Sequence, residues 1–362
     1  MDTERALIIG VKLPKVIDFE FNESIDELKL LAISAGAEIA ETITQDRKKI
    51  DPTYFIGKGK VDDVKEAIFD SGANLVIFDE ELSPAQVRNL EKILEVKVID
   101  RTTLILDIFV KRARSNEAKV QVELAQLNHL LPRLTRQWTH LSKQHGGIGT
   151  KGPGETQLET DRRLIGTKIK VLKKKLERID KERITQRKRR LNLFNVCLVG
   201  YTNAGKSTLF NCLTKSGVIT ENRLFSTLDS TTRKLATSNG REILLTDTVG
   251  FINKLPHQLV ASFKSTLDEV RLADLLLLVV DFSHPHYLKR TQHVLEVLRD
   301  IGADKIPSIT VFNKIDQSPE AYVDFGHFFT PDKKSFFISA KNKLGIEHLV
   351  KRIEFFSDEY KG

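Results

Sequence analysis

The sequence predicts an α/β protein in which a basic helical hairpin lies between two α/β units. Strand and helix patterns alternate over residues 1–107, and heptad-spaced apolar residues with many lysines and arginines fill residues 108–191. Alternation of strands and helices resumes over residues 192–362. At about 150 residues per domain, a chain of 362 residues is long enough for this division.

Apolar and β-branched residues mark the strands of the first unit, over 6–13, 74–79 and 96–100. Helical spacing of apolar residues occupies 24–35 and 61–69 between them. Another helix is expected to begin at Ser83 and Pro84, because serine caps a helix N-terminus and proline fits the first helical turn. Strands and helices that alternate in this way form a small, largely parallel sheet.

Two long helices are predicted for the middle unit, each with a single apolar seam. The seam residues are Ala113, Val120, Leu124, Leu127 and Leu131 in the first helix and Ile165, Ile169, Leu172, Leu176 and Ile179 in the second. Pro132 and the glycine-rich segment 145–154 are expected to separate the helices, because neither continues a helix. The two helices therefore pack as an antiparallel hairpin with an exposed loop at its tip.

Positive charge is concentrated in this middle part of the chain. Residues 101–190 contain 23 Lys and Arg against 9 Asp and Glu, a net charge of +14, whereas the whole chain carries +8. A basic stripe of this kind favours a polyanion such as RNA, although a solvated helix face has the same composition.

The composition excludes several classes of protein. Two cysteines, Cys197 and Cys212, are too few for a disulfide framework, and 40% hydrophobic with 29% charged residues is the balance of a folded globular chain. The longest apolar run, 275–280, is far shorter than the ~20 residues that cross a bilayer. Acidic residues precede the first apolar stretch, unlike in a secretory signal. We expect a cytoplasmic protein with no membrane span, monomeric when free.

A phosphate-binding loop opens the third unit, whose strands are expected over 195–199, 243–246, 275–281, 308–312 and 335–338. Residues 200–207 match G-x-x-x-x-G-K-[ST], follow an apolar strand and precede a helical pattern. In such a loop, backbone N–H groups surround the β-phosphate and Lys206 reaches the β- and γ-phosphates, while the Ser207 hydroxyl can bind Mg²⁺. This predicts a Ras-like P-loop fold.

Three further motifs each follow a predicted strand and define the nucleotide. The motif D-T-V-G at 247–250 supplies a carboxylate on the metal side and a glycine N–H for the γ-phosphate. In N-K-I-D at 313–316, the carboxylate of Asp316 can accept from guanine N1–H and the 2-amino group, a donor pair that adenine lacks. S-A-K at 339–341 would support the same base through a backbone N–H. Their common place at strand ends predicts a guanine-nucleotide domain.

The segment 225–233 is expected to be a mobile loop that supplies a second hydroxyl to Mg²⁺, but its several serines and threonines leave the choice open. Phe251 stands where many GTPases use a glutamine to orient the attacking water, so hydrolysis by the domain alone is expected to be slow. Asn203 is a candidate to hold a monovalent cation such as K⁺ near the β- and γ-phosphates.

Specific sequence strings in all three units match one known family. They cover 56–60, 81–86, 98–102, 106–109, 123–127, 131–134, 146–163, 225–233, 247–252 and 255–257. The longest, over 146–163, is GGIGTKGPGETQLETDRR. On these residues the chain resembles the HflX family of translational GTPases over nearly its whole length.

The resemblance implies a cytoplasmic, Mg²⁺-dependent GTPase that binds the large (50S) ribosomal subunit and its rRNA, is stimulated by it, and splits or recycles stalled ribosomes. It implies that Ser207 and Thr227 are the Mg²⁺ ligands. Together with the motif chemistry above, the expected catalytic residues are Lys206, Thr227, Gly250 and Asn203. The residues implied to contact GTP or GDP are Gly200, Tyr201, Thr202, Asn203, Ala204, Gly205, Lys206, Ser207, Thr208, Phe225, Ser226, Thr227, Leu228, Asp229, Asp247, Thr248, Val249, Gly250, Asn313, Lys314, Ile315, Asp316, Ser339, Ala340 and Lys341.

Two other functions fit parts of the sequence. An RNA chaperone or ATP-dependent RNA unwinder would bind a second nucleotide through Gly57 and Gly59 or through 146–154, but neither segment ends in the Lys-[Ser/Thr] of a phosphate loop. An assembly factor would bind large subunits with GTP as a timer and leave intact ribosomes whole. A subunit-dissociation assay separates this last function from ribosome splitting.

Overall fold

The computed structural model describes residues 4–137, 153–188, 193–214, 224–225, 227–235, 237, 240, 242–254, 264–317 and 334–359. The chain divides into two compact units, the first from residues 1–111 and 119–177 and the second from residues 112–118 and 178–362. Within the described segments, no helix is long and apolar enough to cross a membrane.

A four-stranded parallel sheet is the base of the first unit. Its strands are β1 (Arg5–Lys12), β2 (Glu38–Asp46), β3 (Leu75–Phe78) and β4 (Lys97–Asp100), in the order β2-β1-β3-β4. All four residues of β3 are buried, as expected for a central parallel strand. The sequence does not predict β2, because this edge strand mixes polar residues with single apolar ones and has no apolar run.

The helices of this sheet are α1 (Asp18–Ala35), α2 (Lys58–Ser71), α3 (Pro84–Leu94) and α4 (Arg101–Arg112). The predicted start of α3 is confirmed by a capping box: the Ser83 hydroxyl accepts from the Gln86 N–H at 3.3 Å, and the Gln86 side chain accepts from the Ser83 N–H at 2.9 Å. Two of them, α2 and α3, cover one face of the sheet, where an apolar cluster includes Val61, Val76 and Leu90.

The predicted hairpin consists of α5 (Asn116–Gln137) and α6 (Pro153–Lys188). Most of its seam is confirmed, since Val120, Leu124, Ile169 and Leu172 form a buried cluster against which Leu127, Leu131, Ile165 and Leu176 pack. The predicted seam residue Ile179 is not part of this cluster. Lys168 pairs with Glu123 across it at 2.6 Å.

Three details of the hairpin prediction are wrong. Ala113 lies in the turn between α4 and α5, so the first seam begins at Val120. Pro132 lies inside α5, where the apolar seam outweighs the loss of one backbone hydrogen bond. Pro153 and Gly154 belong to the start of α6, in keeping with the preference of proline for a first helical position. The rest of the expected tip loop, 145–152, lies outside the described residues.

The second unit contains a six-stranded sheet in the order β10-β9-β8-β5-β7-β6. Its strands are β5 (Phe194–Gly200), β6 (Thr231–Leu235), β7 (Ile243–Asp247), β8 (Leu275–Asp281), β9 (Ser308–Asn313) and β10 (Ser335–Phe337). Every pairing is parallel except that of β6 with β7. The sequence predicts all of these strands except β6, whose first residues fall in the segment expected to be a loop.

Helices cover both faces of this sheet. They are α7 (Lys206–Thr214), α8 (Lys264–Arg271), α9 (Tyr287–Asp300) and α10 (Ile346–Glu359). One buried cluster includes Leu198, Phe210 and Ile353, and the other, on the opposite residues of the strands, includes Val199 and Leu298. This is the predicted Ras-like arrangement, and it brings the carboxyl ends of β5, β7, β8 and β9 to one edge of the sheet.

Candidate nucleotide site

The phosphate loop connects β5 to α7 at that edge. Gly205 has a φ of 90°, and a Cβ there would lie 2.2 Å from the Asn313 amide nitrogen. Gly250 lies across the pocket, and a Cβ there would lie 2.8 Å from both Lys206 Nζ and Thr202 Cα. The backbone therefore comes close at both positions only because no side chain is present.

Lys206 is held inside the phosphate loop. Its ammonium group donates to the carbonyl of Gly200 at 3.1 Å and to that of Tyr201 at 2.7 Å, and the residue is 6% exposed. Burial lowers the pKa of Lys206 from 10.5 to about 8, although the nearby charge of Asp247 opposes this effect. An anionic phosphate close to this ammonium would stabilise its charged form.

A polar pocket lies over the loop and collects side chains from three predicted motifs. It is lined by Thr202, Asn203, Gly205, Lys206, Ser207, Thr208, Phe225, Thr227, Thr248 and Gly250. These residues come from the phosphate loop, the segment 225–233 and the D-T-V-G motif, which are far apart in sequence. Asn203 is an exposed member of the set with a φ of 60°.

Three oxygen-bearing side chains converge beside this pocket. The hydroxyls of Ser207 and Thr227 donate to the same oxygen of Asp247, Oδ2, at 2.7 and 3.0 Å, and lie 2.8 Å from each other. Within the described part of the chain, the other carboxylate oxygen of Asp247 has no hydrogen-bond partner although it is buried. Burial raises the pKa of Asp247, against the effect of the Ser207 hydroxyl and the Lys206 charge. Such a set of hard oxygen donors fits Mg²⁺.

The N-K-I-D and S-A-K segments are joined to the phosphate loop by hydrogen bonds. The Asn313 amide donates to the Ala204 carbonyl at 2.9 Å and accepts from the Ala340 N–H at 3.0 Å. Asp316 lies in a short 3-10 helix directly after β9 and is half-buried. Asn313 thus holds three predicted motifs in one place.

Sequence reasoning missed the partner of Lys314. The Lys314 ammonium lies 2.7 Å from Asp281, whose other oxygen accepts from the Ser283 hydroxyl at 2.6 Å. Lys314 has a φ of 65°, so this ion pair stabilises a side chain on an unusual backbone conformation. A signal for this pair was present in the sequence, since Asp281 is the one acidic residue at the end of the otherwise apolar strand β8.

The Phe251 side chain lies in the core, and its backbone is hydrogen-bonded to the phosphate loop. Its N–H donates to the Gly200 carbonyl at 3.1 Å, and its carbonyl accepts from the Thr202 N–H at 2.8 Å. The ring is 4% exposed and packs in the cluster that contains Cys197 and Val270. The side chain that replaces the usual glutamine is therefore not among the residues that line the pocket.

Other predicted contact residues have different surroundings. Leu228 and Ile315 are buried apolar side chains, and the Tyr201 hydroxyl accepts from the Asn253 N–H at 2.8 Å. The Asp229 carboxylate accepts hydrogen bonds from residues 114 and 115. Ser226 lies outside the described residues.

The phosphate loop, the convergent hydroxyls and the N-K-I-D segment at one sheet edge define a P-loop GTPase. Three family models match the chain: GTP-binding GTPase N-terminal over 22–110, GTP-binding GTPase Middle Region over 112–190, and 50S ribosome-binding GTPase over 195–314. GTPase HflX of Caldanaerobacter subterraneus subsp. tengcongensis is 49% identical over 98% of this chain and 80% of the relative. GTPase HflX of Escherichia coli K12 is 47% identical over 97% of this chain and 82% of the relative. The chain belongs to the HflX family of GTPases.

Solved structures agree with this assignment. A GTP-binding protein from Sulfolobus solfataricus in complex with GDP is 25% identical, with a TM-score of 0.50 over 99% of this chain and 100% of that chain. The SsGBP–GDP complex is 26% identical, with a TM-score of 0.53 over 99% of both chains. The predicted family, the α/β fold class and the identity of the chain as a GTP-binding GTPase are confirmed.

Proposed function

We propose that GTP and Mg²⁺ bound at this site control the binding of the protein to the large ribosomal subunit. The binding of GTP and Mg²⁺ is supported above all by the convergence of the Ser207 and Thr227 hydroxyls on Asp247. One hydroxyl belongs to the phosphate loop and the other to the segment 225–233. A ligand that holds both hydroxyls orders that segment.

Each side chain of the site has a distinct task in this proposal. Lys206 neutralises charge on the β- and γ-phosphates, and the Gly250 N–H donates to the γ-phosphate. Ser207 and Thr227 hold Mg²⁺, which when bound offsets the negative charge of the transferred phosphoryl group. Asp316 accepts from the guanine ring, and Asn313 keeps the base-binding and phosphate-binding segments together.

Water activation needs a group other than residue 251, because the phenylalanine ring is buried and has no hydrogen-bonding atom. We assign to Asn203, which is exposed and lines the pocket, the binding of K⁺ close to the phosphates. Hydrolysis is then faster in K⁺ than in Na⁺, and Asn203→Ala removes this difference. Equal rates in the two salts contradict the assignment.

Two facts support the large ribosomal subunit and its rRNA as the partner. The model that matches 195–314 is described as a 50S ribosome-binding GTPase, and residues 101–190 carry a net charge of +14. We therefore propose that the protein binds the subunit, is stimulated by it, and splits or recycles stalled ribosomes. A cytoplasmic location and a monomeric free state are further parts of the proposal.

The competing ATP-dependent function has less support. Gly57 precedes α2 and Gly59 lies within it, and no lysine followed by serine or threonine accompanies them, as a phosphate loop requires. An ATPase activity that survives Asp316→Ala would favour this function over the proposed one.

The test measures GTP hydrolysis with and without purified large subunits, together with light scattering of intact ribosomes. We expect stimulation by the subunit and GTP-dependent separation of intact ribosomes, and Thr227→Ala to lose both. Stimulation without separation would indicate an assembly factor, and an unchanged slow rate would contradict the ribosomal partner.

A further inference from the structure

Asp229, in the segment 225–233, is hydrogen-bonded to the turn between α4 and α5. The turn lies in residues 112–118, which belong to the same compact unit as the GTPase fold. One carboxylate oxygen of Asp229 accepts from the backbone N–H groups of Arg114 and Ser115, both at 3.1 Å. The other oxygen accepts from the Ser115 hydroxyl. A single carboxylate thus holds three donors of this turn.

The same serine organises the start of α5. Its hydroxyl accepts from the Ala118 N–H at 3.0 Å, as a helix cap does, while donating to Asp229. The start of a helix presents unpaired N–H groups and partial positive charge, so it favours a carboxylate. The negative charge that complements α5 is therefore supplied partly from the segment that carries Thr227.

The segment from Phe225 to Asp229 is held on both sides of Thr227. Phe225 and Leu228 are buried, and Asp229 is fixed by the α4–α5 turn. Between these anchors, the Thr227 hydroxyl lies against Ser207 and Asp247. Only Leu228 separates Thr227 from Asp229, so the position of one restricts the other.

We propose that Asp229 is a positioning residue for GTP hydrolysis, which uses the α4–α5 turn to place Thr227 for the Mg²⁺-bound triphosphate. The inference rests on the role proposed above for Thr227. Because coupling between two sites is reciprocal, the triphosphate in turn stabilises the turn and the start of α5. A GDP complex gains little from this contact, since Thr227 then has no γ-phosphate to approach.

The test compares Asp229→Asn, Ser115→Ala and the double variant in the full chain. Asparagine keeps the size of aspartate, but its amide nitrogen cannot accept a hydrogen bond. We expect affinity for a non-hydrolysable GTP analogue to fall about tenfold in each single variant, the size of losing charge-assisted hydrogen bonds. GDP affinity stays within about twofold. Ser115→Thr, which keeps the hydroxyl, rescues the analogue affinity, and Asp300→Asn at the exposed end of α9 is the matched control.

Amide hydrogen exchange at residues 114–118 gives a second, independent readout. In the unchanged protein the analogue slows this exchange relative to GDP, and in Asp229→Asn the two nucleotides give equal exchange. The double variant loses less than the sum of the two single variants, because both changes act on the same contact. Additive losses, an equal fall in GDP and analogue affinity, or exchange unaffected by Asp229→Asn would each overturn the proposal. Thr227→Ala separately tests the proposed function: if it leaves analogue affinity intact, that role of Thr227 fails, whether or not Asp229 contacts the turn.

Discussion

Lys206 makes nucleotide binding depend on pH. Burial lowers its pKa to about 8 in the free protein, and phosphate binding requires the charged form. Above about pH 8, binding must therefore take up a proton, and affinity for GTP is expected to fall by up to about tenfold per pH unit. Calorimetry in two buffers of different ionisation enthalpy measures this uptake directly. Constant affinity between about pH 7 and pH 9 with no proton uptake would contradict the prediction.

The same shift affects stability with a definite sign. The pKa of Lys206 in the folded protein is lower than its ordinary value of 10.5, so the unfolded chain binds more protons at pH values between the two. The cost of burying this charge is thus present below about pH 8 and declines as the pH rises toward 10.5. Without nucleotide, the burial of the Lys206 charge therefore lowers the free energy of unfolding in this pH range.

Asp316 is expected to determine the base. Asp316→Asn exchanges one acceptor oxygen for a donor, so the side chain complements the 2-oxo group of xanthine rather than the 2-amino group of guanine. We expect GTP affinity to fall about a hundredfold and xanthosine triphosphate to become the better ligand, as measured by competition against labelled GDP. Asp304→Asn, at an exposed position before β9, is the control. A preference for GTP that survives the change would exclude this role.

The residues of the site could be named from sequence, but their mutual contacts could not. A phosphate loop has a fixed sequence pattern because its backbone conformation requires glycine at certain positions. At Gly205, for example, any side chain would collide with the Asn313 amide. The partners of Lys314 and Asp229 come from distant segments with no pattern of their own. Their pairing depends on strand order and on the exact end of each strand, which periodicity does not define.

Among the elements, the hairpin seam has the clearest energetic consequence. Leu172 is 6% exposed within the α5–α6 cluster, whereas its neighbour Val171 is 59% exposed. Leu172→Ala is expected to lower the free energy of unfolding by about 2–4 kcal/mol, because it leaves a cavity in the seam. Val171→Ala is expected to change it by no more than about 0.5 kcal/mol. Urea unfolding followed by circular dichroism measures both, and equal losses would contradict the predicted seam.

Elements with a strong apolar pattern were predictable, and those without one were not. The strand β8 has six buried residues in a row and is found with its predicted bounds. The edge strands β2 and β6 expose much of their length, so hydrophobic periodicity carries little information about them. The break at residues 113–115 was missed for another reason: it is stabilised by Asp229, which lies more than a hundred residues away in the sequence.

At the scale of the whole molecule, the positive charge is concentrated in one part of the chain, which favours the binding of a polyanion there. The net charge of +14 over residues 101–190 leaves the rest of the chain at −6, so this region would attract the phosphates of the proposed rRNA partner. Binding to the large subunit is therefore expected to weaken steeply with salt. Each phosphate contact contributes about 0.7–0.9 to the slope of log affinity against log salt.

Charge reversal on α6 tests which surface provides these contacts. Lys173 and Lys174 are exposed on α6, and Lys289 and Lys305 are exposed in the GTPase unit. Reversal of the first pair to glutamate is expected to weaken binding to the large subunit and to lower the salt slope by about 1–2, because up to two phosphate contacts are lost. Reversal of the second pair serves as the control for the same change in net charge. GTP hydrolysis without ribosomes stays unchanged in both, because neither pair lines the nucleotide pocket. Equal weakening by the two pairs would mean that overall charge, rather than the hairpin, attracts the ribosome.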